Sequence, residues 1–268
     1  MSKSRLDSLL AERGLFESRS RAAAAVTAGR VRVGGGRRRA VKPGQMVAHD
    51  VPVSVERGEE YVSRGGVKLA NALDAFAVDP SGRRCLDVGA STGGFTDCLL
   101  RRGAAHVVAL DVASGELHPR LAGDPRVTVV ERANARALDP ASLPYLPGLI
   151  VVDVSFISLP KVLPAVLGAA PATGESFDCL ALVKPQFELG PSRVGKGGVV
   201  RSASDRRDAL AGVGRFVQSL PGFSVHGFAS SGLPGPAGNR ESFVWIGRGG
   251  GGLAEADLEA AAAVAEPL

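Results

Sequence analysis

Leu86-Asp87-Val88-Gly89-Ala90-Ser91-Thr92-Gly93-Gly94-Phe95-Thr96-Asp97 joins an apolar run to a helical one. Upstream, RCLDVGA (84–90) reads as a buried strand; downstream, TDCLLRRG (96–103) reads as a helix. A glycine-rich turn between such elements is where open α/β sheets take ligands, because glycine lets the backbone approach closely. The spacing is not G-x-G-x-x-G: Ser91 stands where the second glycine would, which argues against a nicotinamide dinucleotide. Six more apolar runs follow: HVVALDV (106–112), VTVVERA (127–133), LIVVDVS (149–155), DCLALVKP (178–185), FSVHGFA (223–229) and SFVWIGR (242–248). Helical stretches such as ISLPKVLPAVLGAA (157–170) and SDRRDALAGVGRFVQSL (204–220) separate most of them. Near-continuous Val, Leu and Ile runs alternating with helices predict a mostly parallel sheet covered on both faces. No clear helix divides the last two runs, which predicts an antiparallel pair.

Strand ends supply the candidate ligand residues. Gly89, Ser91, Thr92 and Gly93 form the turn. Asp111 ends the second strand, where a carboxylate can accept hydrogen bonds from both ribose hydroxyls of a nucleoside ligand. Asn134 follows the third strand, and there a ligand contact competes with a plain turn role.

Charge divides the chain differently. Residues 1–58 hold 12 Lys/Arg against 5 Asp/Glu, whereas 59–268 hold 20 against 22, so the whole excess of the +5 chain sits in its first fifth. A basic block on a near-neutral body points to a polyanion-binding module as readily as to a solvated surface. Within it, SRLDSLLAER (4–13) reads as a helix ended by Gly14, and RSRAAAAVTAG (19–29) as a second, with Ser18 as its cap. VRV (31–33), a glycine turn and DVPVSV (50–55) read as short strands. ERGEEYV (56–62) is polar and reads as a linker, which sets the expected division at 1–58, 59–62 and 63–268.

Composition excludes several classes. Apolar residues at 45% rule out wholesale disorder. Cys85, Cys98 and Cys179 show no C-x-x-C spacing, and His49, His106, His118 and His226 no metal spacing, so neither a disulfide framework nor a metal site is expected. The longest apolar stretch is too short to span a bilayer. A soluble cytoplasmic protein, monomeric and without a membrane partner, is the expectation. Ser91 is not in a G-x-S-x-G elbow, so no hydrolase triad is legible. GPSRVGKGGVV (190–200) either closes over a ligand or connects two elements, and LAEADLEAAAAVAEPL (253–268) reads as a packing helix.

The series RLDxLLAERG, SRSRA, AGRVRVGG, KPGxxV and DVPVSV resembles the small RNA-binding domain of ribosomal protein S-four. That resemblance implies phosphate contacts from Arg5, Arg13, Arg19, Arg21 and Lys42. DVGASTGGFT with Asp111 resembles the S-adenosylmethionine site of class I (Rossmann-like) methyltransferases, and more narrowly the FtsJ-like ribose methyltransferases. With VSRGGVKL (62–69), VVDVSFISL (151–159), LVKPQFE (182–188) and GPAGNRESFVW (235–245), the chain resembles the TlyA family over nearly its whole length. These are rRNA 2′-O-methyltransferases often labelled hemolysin A. The implied fold is a seven-stranded, mostly parallel α/β domain behind a small α+β RNA-binding domain. The implied reaction is methylation of a ribose 2′-hydroxyl in ribosomal RNA, at a cytidine, within ribosomal subunits. Altered sensitivity to ribosome-targeting peptide antibiotics would follow from it. A non-catalytic ribosome-binding or assembly factor and a membrane-active hemolysin are the competing readings.

The resemblance assigns a Lys–Asp–Lys–Glu tetrad to Lys68, Asp153, Lys184 and Glu241. Only six of the 32 basic residues are Lys, and two of those six fall at tetrad positions. The chemistry suits lysine, since arginine stays protonated and cannot act as a base. Lys184 is assigned general base, Asp153 its orienting partner, Lys68 a source of positive potential, and Glu241 the residue that positions Lys68 or the ribose. One departure is visible: family members carry Trp in the linker where this chain has Tyr61.

Overall fold

The structure, a computed structural model, describes residues 3–16, 18–27, 29–35, 38–40, 42–55, 61–171 and 176–266. The chain divides into two compact units, Met1–Glu60 and Tyr61–Leu268. Most of the polar stretch read as a linker, residues 56–60, lies outside the described residues.

The first unit runs β1 (Lys3–Arg5), α1 (Leu6–Glu12), α2 (Arg19–Thr27), β2 (Val31–Val33), β3 (Arg38–Arg39), β4 (Met46–Ala48) and β5 (Val53–Val55). Leu6 and Leu10 on α1 pack against Ala22, Ala25 and Val26 on α2 and Val31 and Val33 on β2. The alanines of α2 let the two helices approach closely. Ser18 accepts the Arg21 amide at 3.2 Å as the expected cap. Three strands escape the sequence reading: β1 and β4, which pair antiparallel with each other, and β3, which pairs with β2. Each has two or three residues, too few to show a period.

The second unit contains α3 (Arg64–Phe76), β6 (Arg84–Val88), α4 (Gly94–Arg101), β7 (His106–Leu110), α5 (Pro119–Ala122), β8 (Val127–Val130), β9 (Leu149–Val152), α6 (Leu163–Leu167), β10 (Asp178–Val183), α7 (Pro185–Glu188), α8 (Ala203–Gln218), β11 (Phe223–Ser230), β12 (Ser242–Arg248) and α9 (Leu258–Ala265). Its seven strands lie in the order β11-β12-β10-β9-β6-β7-β8, and β12 runs antiparallel to both neighbours. Each of the seven expected runs forms a strand. Side chains alternate between two cores. Leu86, Val88, Ile150, Val152, Val183 and Val244 face α6, α8 and α9. Cys85, Val107, Leu149, Val151, Leu182 and Phe243 face α3 and α4. Burial on both faces explains why these strands read as continuous apolar runs.

Two differences from expectation, the 157–170 stretch and helix α3, have physical causes. The 157–170 stretch is a 3₁₀ turn followed by only the short α6, because Pro160 and Pro164 interrupt it. Between β8 and β9 the chain makes only 3₁₀ turns. Helix α3 was not anticipated, because Gly65 and Gly66 weaken its propensity. Packing requires Gly66, where a Cβ would lie 2.3 Å from Tyr61, and Gly94 of α4 meets the start of α3 closely, since a Cβ there would lie 2.1 Å from Ser63.

Candidate active site

The carboxyl ends of β6, β9 and β10 open onto a cleft of about 360 Å³ that Gly89, Ser91, Thr92, Lys68, Asp153, Lys184 and Glu241 all line. The glycine turn forms its floor. Gly89 has φ +84°, and a Cβ there would lie 2.4 Å from the carbonyl oxygen of Asp153. Gly93 has φ +92° and opens α4, with the side chains of Leu117 and Leu121 against it. Ser91 is held at φ +46°, and its amide donates to Asp111 Oδ2 at 2.8 Å. Asp111 Oδ1 accepts the Ala113 amide at 2.9 Å, so its carboxylate is oriented by two backbone donors. It borders a notch that shares Ala90 and Ser91 with the cleft. Asn134 lies in neither: its side chain caps the 3₁₀ turn after β8, accepting the Arg136 amide at 3.1 Å.

The four tetrad positions form two ion pairs. Lys184 Nζ lies 2.5 Å from Asp153 Oδ1 and donates to Ser155 Oγ at 2.8 Å. Lys68 on α3 donates to Glu241, and both side chains are buried. Sheet register explains the convergence. Val183 on β10 pairs with Ser242 on β12, so Lys184 and Glu241 meet one step beyond the ladder. Glu241 therefore does not face solvent. The charge of Lys68 is matched by Glu241.

In the first unit the candidate phosphate contacts separate. Arg5 holds Asp7 through two hydrogen bonds at 3.1 and 2.8 Å, and Arg19 lies 3.3 Å from the same carboxylate. Arg13 donates to the carbonyl oxygens of His49 and Val51, tying α1 to the loop before β5. The guanidinium donors of Arg5 and Arg13 thus hold the unit together. Arg19, Arg21 and Lys42 also carry exposed side chains.

Residues 61–248 match the FtsJ-like methyltransferase family, and residues 4–47 match the S4 domain. The chain is 49% identical to the 16S/23S rRNA (cytidine-2′-O)-methyltransferase TlyA of Mycobacterium tuberculosis, over 91% of this chain and 90% of that one. The chain belongs to the TlyA family of FtsJ-like methyltransferases. Hemolysin A of Brachyspira hyodysenteriae is 39% identical over 74% of this chain and 80% of its own. A solved structure described as a putative hemolysin from Streptococcus thermophilus superposes with TM-score 0.71 at 37% identity, covering 99% and 96% of the two chains. Among the described residues no helix is long and apolar enough to cross a membrane, and no cluster of His, Cys, Asp or Glu is placed to hold a metal ion.

TlyA-family motifs also carry residues that sequence reasoning passed over. Glu188 of KPQFE accepts from Ser158 Oγ at 2.8 Å and the Leu159 amide at 2.9 Å, which ties that motif to SFISL. Phe156 has φ +62°, is 91% exposed, and has Phe187 beside it with ring centroids 5.3 Å apart. Asp87 is fully buried; its Oδ2 accepts from Thr96 Oγ1 at 2.6 Å, while among the described residues Oδ1 has no hydrogen-bond partner. Its signal was present, as an acid inside an otherwise apolar strand. Burial pushes its carboxyl up to about 7, opposed by the Thr96 hydrogen bond and aided by the negative charges of Asp153 and Asp111. The folded chain therefore keeps a proton that the unfolded chain releases near pH ~4. Stability is expected to fall as pH rises from about 4 to about 7, by on the order of 4 kcal/mol, and to level off above. The isosteric Asp87→Asn change should flatten that stretch of a plot of thermal midpoint against pH.

Proposed function

We propose that this chain transfers a methyl group from S-adenosylmethionine to the ribose 2′-hydroxyl of a cytidine in ribosomal RNA. The observation that carries this reading is the pair of lysine–carboxylate contacts in one cleft beside the glycine turn. The turn suits the methyl donor: its glycines let the backbone approach a ligand closely, and Asp111 presents an oriented carboxylate to ribose hydroxyls. Asp153, which lines the cleft, suits a cationic sulfonium. When bound, that group supplies an electrophilic methyl carbon.

The protein's share of the chemistry is alignment and proton removal. Once Nζ has given up its own proton to solvent, Lys184 as the neutral amine takes the hydroxyl proton, and Asp153 at 2.5 Å stabilises the ammonium that forms again. Ser155 fixes the direction of Nζ. Lys68, held by Glu241, donates to the ribose oxygens and fixes the attacking atom. The S4 unit grips phosphates through Arg19, Arg21 and Lys42, a salt-dependent contribution that positions without selecting a base.

Phe156 gives the target nucleotide its platform. It follows Ser155 at the cleft, and its exposed ring is held by strained backbone and by Phe187. Stacking a base on an aromatic ring is worth about 1–3 kcal/mol. Phe156→Ala is expected to raise the KM for RNA about 5- to 150-fold, with methyl-donor affinity unchanged. Phe156→Trp should retain most of the affinity, as read from initial rates against RNA concentration.

The function is tested by giving the protein labelled S-adenosylmethionine with separate ribosomal subunits, intact ribosomes and naked rRNA, then mapping the label. Label on a cytidine ribose supports the reading; label on a base overturns it. Release of dye from liposomes without the methyl donor would support the membrane-active alternative.

A further inference from the structure

Behind the Lys68–Glu241 pair, on the opposite face of the sheet, lies a second buried pair that takes no part in the steps above. Glu266 follows α9. Its Oε2 accepts from Arg206 Nε at 2.9 Å, and its Oε1 accepts from Ser242 Oγ at 2.7 Å. Arg206, Ser242 and Glu266 are all buried. A buried ion pair is poorly explained by stability alone, because packed apolar residues of similar volume often do as well or better. What the pair holds in place is therefore informative.

Ser242 is the first residue of β12, opposite Val183 at the end of β10. Its sequence neighbour is Glu241, and the neighbour of Val183 is Lys184. Strand alternation sends Ser242 towards α8 and α9, while Glu241 turns towards α3 and Lys68. Glu266 thus grips β12 from the rear at the residue adjoining the tetrad. Arg206 extends the grip, donating from Nη1 to the Arg201 carbonyl at 2.8 Å. The neighbouring Val200 amide donates to Asn239 Oδ1 at 2.9 Å, and Asn239 Nδ2 donates to the Gly198 carbonyl at 2.8 Å. Asn239 is buried and precedes Glu241 in the same segment. The backbone on both sides of Glu241 is tied down. The third side has no slack, since a Cβ on Gly235 would lie 2.3 Å from Glu241 Oε1.

We infer that Glu266 is a positioning residue for methyl transfer, fixing through Ser242 and Arg206 the backbone that aims Glu241 at Lys68. This rests on the reaction proposed above. The test uses the full chain with Ser242→Ala, Ser242→Thr, Glu266→Gln and Glu266→Ala. Ser242→Ala deletes one hydrogen bond and leaves Arg206 paired, so it decides the question should Glu266→Ala not fold. Single-turnover rates are counted per methyl-donor site, with KM values and the pH profile of the rate. The expected result is a loss of about tenfold in rate for Ser242→Ala and more for Glu266→Ala, as small misplacements of reacting groups produce. KM for both substrates should stay within about twofold, because the change lies behind the binding surface. The pH profile should move as the Lys68–Glu241 contact loosens, and Ser242→Thr, which keeps the hydroxyl, should restore the rate. Wild-type rates per site and an unmoved profile in Ser242→Ala and Glu266→Gln would overturn the inference, even with lowered thermal midpoints. A wild-type chain that transfers no methyl group in the same assay overturns the functional reading instead, and this inference with it.

Discussion

Lys184→Met is expected to lower the single-turnover rate of methyl transfer by about 10²–10⁴-fold, the range for losing a positioned general base. Methyl-donor affinity, measured by calorimetry, should hold, because the glycine turn and Asp111 are not altered. Lys184→Arg is the sharper variant. It keeps a cation beside Asp153 and Ser155, where Lys184 now sits at 2.5 and 2.8 Å, but it cannot accept the hydroxyl proton. If Lys184 is the base, arginine is as inactive as methionine. If the position requires only positive charge, Lys184→Arg keeps most of the rate, and the assignment of general base fails. Asp153→Asn tests the partner: it should lower the rate by less, since Ser155 still orients Nζ.

The sheet was legible because its chemistry is local. Val, Leu and Ile runs such as 149–152 and 178–183 are buried on both faces, so each strand announces itself without knowledge of its neighbours. Strand ends then placed Asp153 and Lys184 on one edge, because parallel strands share their carboxyl side. Three kinds of feature were not legible. Helix α3 breaks local propensity with Gly65 and Gly66, for reasons that exist only in its packing on Tyr61 and α4. The role of Arg13 depends on carbonyls of His49 and Val51, far along the chain, and its sequence context reads the same whether it grips RNA or its own backbone. Lys68 and Glu241 were each found through family order. That they neutralise one another in a buried pair follows from the packing of α3 on the sheet beside Phe243, which the sequence does not print.

That pair carries the largest expected effect on stability. Lys68 and Glu241 side chains are 7% and 2% exposed. Lys68→Met fills a similar volume but leaves the Glu241 carboxylate buried without its partner. Breaking a buried pair from one side costs about 3–5 kcal/mol. For a unit of this size, each kcal/mol lowers the thermal midpoint by roughly 2–4 °C, so a fall on the order of 10 °C is expected. Glu241→Gln should lose less, because glutamine still accepts a hydrogen bond from Lys68. The double change Lys68→Met/Glu241→Gln removes both charges and should recover most of the midpoint lost in Lys68→Met. It should not recover methyl transfer, since no donor is left to hold the ribose oxygens. Calorimetry of the full chains reads stability, and labelled methyl transfer to rRNA reads activity. Activity returning with stability in the double variant would show that the pair only holds the fold. Stability returning without activity separates the two roles that one buried contact combines.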